Sequence, residues 1–474
     1  FFFELPMTFY VFLAATAALI GGFLYRRRRT PNPWLLDGPS ALMYQGGFLP
    51  QCKVPNCSIN CCLYFDKLPD LARLKALVQE TIVDKYFEFR AVPERTAQGF
   101  AWTEVATNLD ERFFLSEVSS EEELHRKMEG IVSQNIKGYP HKLWEFHYIT
   151  NLKGGREMLL FRVEHCLGDG LHLMRMFHAM LTDIDGKPLP IQALPPPKTS
   201  NRWGPCHRRF FRPLLRALDV LCSVGKVAGM AKGSFDSVTS FSQGAGQLPV
   251  FCNRPTVVII PPHPLDLVKK IKNATGASVN DVIFSCLSGA IQRYLHVQRD
   301  IPGPATSMKA LIPVGFPPDP KSTRLANTWA FVTVPMPVTE PHPEARLRRT
   351  MQDFTAIKTS AYARVALACT NLSIKTLPIS VCRDTTTNVF ARHSIVFSNV
   401  PGPQTPVCLA GAVMTEIQQV FLNCISQAGV LSYNGTLYGN LVVDSNLVPD
   451  PRALGHLYIA ELQALAAAVL GPTG

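Results

Sequence analysis

Apolar residues along this chain fall into two spacings, and the chain switches between them for most of its length. Runs rich in apolar and β-branched residues predict strands over 59–65, 142–151 and 156–163. Positions three and four apart predict amphipathic helices between them. One covers 68–83, with Leu71, Leu74, Leu77, Val78 and Ile82 on its apolar face; a second covers 121–134, behind the cap candidates Ser119 and Ser120. The same alternation resumes with a strand over 256–260. A helix over 278–297 follows, with Ser278 as cap candidate and Val282, Cys286, Gly289, Ala290 and Leu295 at helical spacing. Strands over 310–314, 330–334, 394–398 and 428–433 and helices over 344–359 and 451–470 complete a second strand–helix half. The pattern predicts an α/β (α+β) protein in two halves.

Between the halves the pattern breaks. Pro188, Pro190, Pro195, Pro196 and Pro197 mark an irregular loop. A basic amphipathic stretch follows over 208–232, with Phe210, Phe211, Leu214, Leu215, Leu218, Val220 and Leu221 on its apolar side. It reads as a membrane-interface helix or as a crossover helix packed on the two halves, and the two readings are compatible. The Ser/Gly-rich stretch 234–247 predicts a flexible link. Its Gly244-Ala245-Gly246 lacks the third glycine and flanking elements of a dinucleotide fingerprint.

Ahead of both halves, residues 5–25 are apolar apart from Thr8 and Thr16 and carry no charge. At about 1.5 Å per residue such a helix crosses a hydrocarbon core. Arg26 to Arg29 follow, so the run reads as a single-pass anchor with the body in the cytosol. A cleaved signal peptide is the rival reading; it would carry its charge before the apolar run. With a cytosolic body, the acceptor patterns at Asn56, Asn273, Asn371 and Asn434 stay unglycosylated. The expected organisation is an anchor over 5–25, a first half over 34–185, a connector over 186–248 and a second half over 249–472.

Composition narrows the partners. Of 474 residues, 47% are hydrophobic and 18% charged, which suits a globular protein that touches lipid. The net charge of +11 suits anionic membranes, CoA phosphates or nucleic acid. No nucleic-acid-binding signature accompanies it, so nucleic acid is not an expected partner. Thirteen cysteines scattered through apolar runs read as reduced thiols. Cys52, Cys57, Cys61 and Cys62 match no zinc-knuckle spacing, and no metal is expected.

Candidate chemistry concentrates in Val163-Glu164-His165-Cys166-Leu167-Gly168-Asp169-Gly170, where a strand exit meets a helix start. A neutral imidazole held there can take a proton from a hydroxyl or thiol. Asp169 can hold the turn, and Gly170 admits close backbone approach or a positive φ. Taken alone, a buried histidine capped by a turn fits equally. No G-x-S-x-G serine signature is present, and Cys166 should point away from His165 as its chain neighbour. His172 and His178 read as packing or surface residues.

The octapeptide resembles the H-H-x-x-x-D-G signature of CoA-dependent acyltransferases with the chloramphenicol-acetyltransferase-like fold. Its surroundings resemble the wax ester synthase/acyl-CoA:diacylglycerol acyltransferase family. The matching segments are Trp144-Glu145-Phe146-His147, Gly154-Gly155-Arg156, Ser278-Val279-Asn280-Asp281-Val282, Leu311-Ile312-Pro313-Val314, Asn327, Ser398-Asn399-Val400-Pro401-Gly402-Pro403 and Leu431-Ser432-Tyr433-Asn434-Gly435. Leu36 to Leu42 resembles the start of the family's catalytic body, and the likeness extends to about Pro449. The resemblance implies two chloramphenicol-acetyltransferase-like halves around a central tunnel. It implies acyl transfer from acyl-CoA to a long-chain alcohol or diacylglycerol, without a cofactor, at a lipid membrane such as the endoplasmic reticulum.

By the same resemblance, His165 is the general base. Asp169 is structural support, held against an arginine. Asn280-Asp281 either orients substrate or His165 or caps its helix, and Asn399, Pro401 and Gly402 shape the tunnel beside substrate. Arg324 and Asn327 are weaker candidates of that kind. Glu164 stands where the family has its first histidine. An inward-facing carboxylate would raise the imidazole pKa; an outward one would do nothing. This departure keeps open an alternative, a weakened homologue that binds acyl-CoA or lipid without turnover.

Overall fold

The computed structural model describes residues 34–52, 57–97, 99–189, 212–242, 254–317, 322 and 324–471. The expected anchor, the loop over 190–197 and the link over 243–247 lie outside them. Strands, numbered in chain order, build two large sheets and one hairpin. The first sheet runs β4 (Phe113–Val118), β5 (Trp144–Asn151), β6 (Glu157–Glu164), β1 (Ser58–Phe65), β13 (Ala412–Phe421), β12 (Cys408–Leu409) and β7 (Leu181–Thr182). The second runs β10 (Trp329–Pro335), β9 (Lys309–Gly315), β11 (Ile395–Pro401), β14 (Ser426–Tyr433), β15 (Thr436–Asp444) and β8 (Pro255–Pro264). The hairpin joins β2 (Ala91–Thr96) to β3 (Gly99–Glu104). Both large sheets are mixed: β4–β5, β9–β11 and β11–β14 pair parallel, and the other pairs antiparallel.

Strand β6 is mostly apolar because both of its faces are covered. Leu159, Phe161 and Val163 enter one core, and Met158 and Leu160 enter another beneath a helix, α3 (Glu121–Val132). Ser120 caps that helix by accepting from Glu123 N. Arg162, on the face of Met158 and Leu160, is buried. It donates to Glu145 Oε1 at 2.7 Å and to Asn60 Oδ1 at 2.9 Å, so its charge is paired and its donors are used.

The remaining helices are α1 (Gly38–Tyr44), α2 (Leu71–Val78), α4 (Gly170–His178), α5 (Arg212–Lys232), α6 (Leu265–Thr275), α7 (Val279–Val297), α8 (Pro343–Lys358), α9 (Tyr362–Thr376), α10 (Ile379–Ala391) and α11 (Ala453–Leu470). Helix α7 is buried almost throughout and lies among α6, α8 and α11. Helix α11 is long and apolar enough to cross a membrane, but Leu454, Tyr458, Leu462 and Leu465 pack it into the second core, beside α7 and β8.

Several expectations need correction. The helix over 68–83 is α-helical only to Val78 and continues as a π turn over Gln79–Val83. The stretch 234–242 is not a loose link. Asp236 accepts from Ser394 Oγ at 2.6 Å and from Lys309 N at 2.7 Å, Phe241 is buried, and Ser240 N donates to Asp300. Helix α5 packs on α9, α10 and β10, all in the second half. Residues 408–421, assigned by sequence to the second half, form strands of the first sheet.

The second half also contains a buried ion pair that needs a glycine. Arg346 on α8 donates to Glu461 on α11 and to Gln292 on α7; Arg293 reaches the same carboxylate at 2.7 Å. Gly289 sits beneath it, and a Cβ there would overlap Glu461 Cδ. Gly289→Ala should therefore lower stability by about 1–3 kcal/mol, the range for overpacked cores. A thermal melt reads this as a lower Tm, and an unchanged Tm would contradict the packing described.

Candidate active site

The turn after β6 carries the sequence-predicted base. His165 begins a short 3-10 turn, and its backbone N–H donates to Cys57 O at 2.8 Å. Two residues after that turn, Asp169 caps α4: its Oδ1 accepts from Leu171 N and His172 N, both at 3.0 Å. The same oxygen faces His172 Nδ1 at 2.9 Å, while Oδ2 accepts from Thr328 N at 2.8 Å. Burial alone would raise the Asp169 pKa, but His172 and the surrounding donors outweigh it and hold the carboxyl below its ordinary value. Asp169 thus ties its turn to the loop before β10. Its expected arginine partner is replaced by His172, which is buried and does more than pack.

His165 is held by a side chain that the sequence marked only weakly. Asn327 Oδ1 lies 2.9 Å from His165 Nδ1 and accepts from Trp329 Nε1 at 3.0 Å. Asn327 Nδ2 donates to His165 O at 2.6 Å and to Ser40 Oγ at 2.9 Å. The two donated bonds fix which end of the amide is nitrogen, so the ring nitrogen facing Oδ1 must carry the proton. The neutral imidazole is therefore protonated at Nδ1 and has its lone pair on Nε2. No described residue hydrogen-bonds Nε2. Trp329 and Phe421 stand with ring centroids 5.7 Å from the imidazole. Burial pushes the His165 pKa below its ordinary value, which favours the neutral ring.

Behind Asn327 stands α1. Asp37 caps it by accepting from Ser40 N at 2.7 Å, and Asp37 Oδ2 also accepts from Ser40 Oγ at 2.8 Å and from Asn327 N at 3.1 Å. Burial raises the Asp37 pKa. The sequence flagged Leu36 to Leu42 as a family-like segment, but nothing local tied Asp37 and Ser40 to a histidine far along the chain.

Glu164 does not touch the His165 ring. Its side chain is buried, and Oε1 accepts from Ser58 Oγ at 2.9 Å across the β1–β6 pair. Cys166 is buried, and burial pushes its thiol pKa far up, which disfavours a nucleophilic thiolate. Gly170 lacks a positive φ, and a Cβ there would sit 4.0 Å from Val400, so the freedom expected of it is not used.

The second-half candidates divide. Asp281 is a cap: it completes a capping box with Ser278 and faces Lys358 Nζ at 3.3 Å. Asn280 is exposed and accepts from Asn399 Nδ2 at 2.6 Å, which joins the start of α7 to the end of β11. Pro401 pairs with Ser432 in the parallel register, and Gly402 N donates to Ser432 O at 3.0 Å. A Cβ at Gly402 would lie 2.6 Å from that oxygen, so only glycine lets the turn close on β14. Arg324 pairs with Glu88 at 3.1 Å and lies over Trp34. Among the described residues no cluster of His, Cys, Asp and Glu is arranged for a metal.

Comparison with known sequences decides the family. The wax ester synthase/diacylglycerol acyltransferase catalytic-domain model matches residues 99–283, and the WS/DGAT C-terminal-domain model matches 325–466; together they cover well over half of the chain. This chain belongs to the WS/DGAT family. A provisionally named diacylglycerol O-acyltransferase of Mycobacterium tuberculosis is 27% identical over 60% of this chain, and the chain spans 64% of that relative's length. Wax ester synthase/diacylglycerol acyltransferase 2 of Arabidopsis thaliana is 24% identical over 69% of this chain and 73% of its own. The solved wax ester synthase/diacylglycerol acyltransferase of Marinobacter aquaeolei shares the fold, with TM-score 0.61 and 18% identity over 92% of this chain and 100% of its own. The starter condensation domain of rhizomide synthetase, solved with C8-CoA, superposes with TM-score 0.57 and 11% identity over 92% and 95% of the two chains.

The surroundings of Glu164 have a measurable consequence. Burial raises its pKa from 4.5 to about 7. Between these values the folded chain keeps a proton that the unfolded chain releases, so stability is lost as pH rises through this window. The full effect is on the order of 3 kcal/mol. Glu164→Gln should flatten that slope and make the chain more stable than wild type at about pH 8. Urea unfolding on either side of the window checks this; equal slopes for the two chains would contradict it.

Proposed function

We propose that this WS/DGAT-family chain transfers an acyl group from acyl-CoA to the hydroxyl of a long-chain alcohol or of diacylglycerol, giving wax ester or triacylglycerol, with His165 as general base. One observation carries the reading: Nδ1–H is committed to Asn327, while no described residue hydrogen-bonds Nε2. Nε2 takes the hydroxyl proton as the oxygen attacks the thioester carbonyl. As the tetrahedral intermediate collapses, the C–S bond breaks and the imidazolium returns the proton to the CoA thiolate. No covalent enzyme intermediate is needed, because the thioester is already activated. The family, the names of its relatives and the C8-CoA complex of the rhizomide condensation domain support the donor.

The reading includes a tunnel between the halves that brings both long-chain substrates to Nε2. It includes no cofactor beyond the co-substrate acyl-CoA. Residues 5–25 are read as a single-pass anchor that keeps the body on the cytosolic face of a membrane such as the endoplasmic reticulum. The departure at Glu164 gives the non-catalytic alternative little support, since that carboxylate is hydrogen-bonded to Ser58 and away from the ring.

The test is to supply the full chain with labelled acyl-CoA and either hexadecanol or diacylglycerol. Wild type should form labelled ester, and no product with any alcohol would overturn the proposal. His165→Ala should lower kcat about 10²–10⁴-fold, the share of a general base. The acid limb of kcat/KM should have its midpoint below 6.5, because burial depresses the His165 pKa and the protonated ring cannot accept. Asn327→Ala frees the tautomer and should lower kcat about 10-fold or more with little change in KM.

A further inference from the structure

Helices α5, α9 and α10 pack on one another and form one side of the second half. Six of the 14 exposed large hydrophobic residues among the described residues lie here: Leu214, Leu218, Val220, Leu221, Leu377 and Val381. Leu214, Leu218 and Leu221 are spaced i, i+4, i+7, so they form one stripe along the outside of α5. The inner side of α5 buries Ser223, Met230 and Ala231. This side of the protein also carries a net positive charge. The three helices carry seven Lys and Arg residues against Asp219 and Asp384. Asp219 is partly used inward, accepting from Ala361 N at 2.9 Å.

We infer that this three-helix face docks on the surface of an anionic phospholipid bilayer, with the α5 stripe at the acyl boundary and the flanking cations at the headgroups. Scattered surface leucines need no explanation, but a leucine stripe within a net cationic face fits a lipid interface. A second copy of this chain is the poorer occupant, because a twofold contact through the same face would set like charges against like. The face also adjoins the candidate site. Helix α9 packs on α1, where a Cβ at Gly38 would lie 3.3 Å from Asn371 Oδ1, and Gly38 directly follows Asp37. A lipid arriving at this face therefore meets the protein close to the network that holds His165. The docking surface itself does not depend on the acyl-transfer reading.

The face contains its own reporter, since Cys222 is the exposed cysteine among the described ones. The full chain, with Cys206→Ser and Cys252→Ser, is labelled at Cys222 with a fluorophore and reconstituted in phosphatidylcholine vesicles with or without phosphatidylserine. Lipids bearing a shallow nitroxide serve as quencher. A second preparation carries Cys222→Ser and the label at Val297→Cys, an exposed site outside the face. The expected result is quenching at Cys222 that rises with phosphatidylserine and falls with salt, and none at Val297→Cys. Reversing the exposed Arg364 and Lys375 to glutamate should lower the docked-to-undocked ratio roughly tenfold or more. Leu218→Asp with Leu221→Asp should abolish quenching while Tm stays unchanged, which separates lost docking from lost folding. Equal quenching at the two labels, indifference to phosphatidylserine, or mutual burial of Cys222 between two copies would each overturn the inference.

Discussion

The structure turns on the primary amide of Asn327. Both lone-pair directions of its oxygen and both protons of its nitrogen are committed, to two ring N–H groups on one side and to a carbonyl and a hydroxyl on the other. Rotating the amide by half a turn would place donor against donor, so its orientation is set by its surroundings. That orientation in turn settles the protonation of His165 without a carboxylate touching the ring. Asp37 acts one step back, through Ser40 and the Asn327 backbone. A neutral acceptor in this position leaves the imidazole less basic than a carboxylate would, which agrees with the depressed pKa of the buried ring.

The two halves meet around this amide through strand β13. Its central residues reach the second sheet: Gln419 donates to Val430 O at 2.7 Å, and Asn440 donates to Gln419 O at 2.8 Å. Two residues further on, Phe421 stands edge-on to His165. Polar side chains that look misplaced in a strand thereby satisfy backbone groups where the sheets meet. The loop before β10 makes the other junction through Thr328 and Asp169, and His165 sits between the two.

Much of the fold was legible because both faces of strands such as β6 are buried, which leaves a dense apolar signature. The capping serines of α3 and α7 were equally plain. Helix α6 was missed although Leu265, Val268 and Ile271 keep helical spacing; it is short and starts directly after β8 without a capping side chain. Helices α9 and α10 were missed because their apolar residues are diluted by Thr and Ser, which gives neither a clean stripe nor good propensity. Strand β13 reads as polar because the side chains of Gln418 and Gln419 hydrogen-bond across to the second sheet. His165 and its turn were visible as a candidate site from local order and family likeness. The Asp37–Ser40–Asn327 support was not, since it joins residues 287 and 290 positions apart. Glu164 was ambiguous until the pairing of β1 with β6 put Ser58 beside it.

The crossing of β13 has a consequence for how the molecule is made. Until the ribosome has passed residue 421, the edge of β1 that will pair with β13 offers its backbone groups to any neighbouring chain. The nascent first half must therefore wait through some 350 further residues for the partner that closes that edge. Separately expressed fragments cut at the midpoint would each lack part of the first sheet, so the natural unit of folding is the whole body.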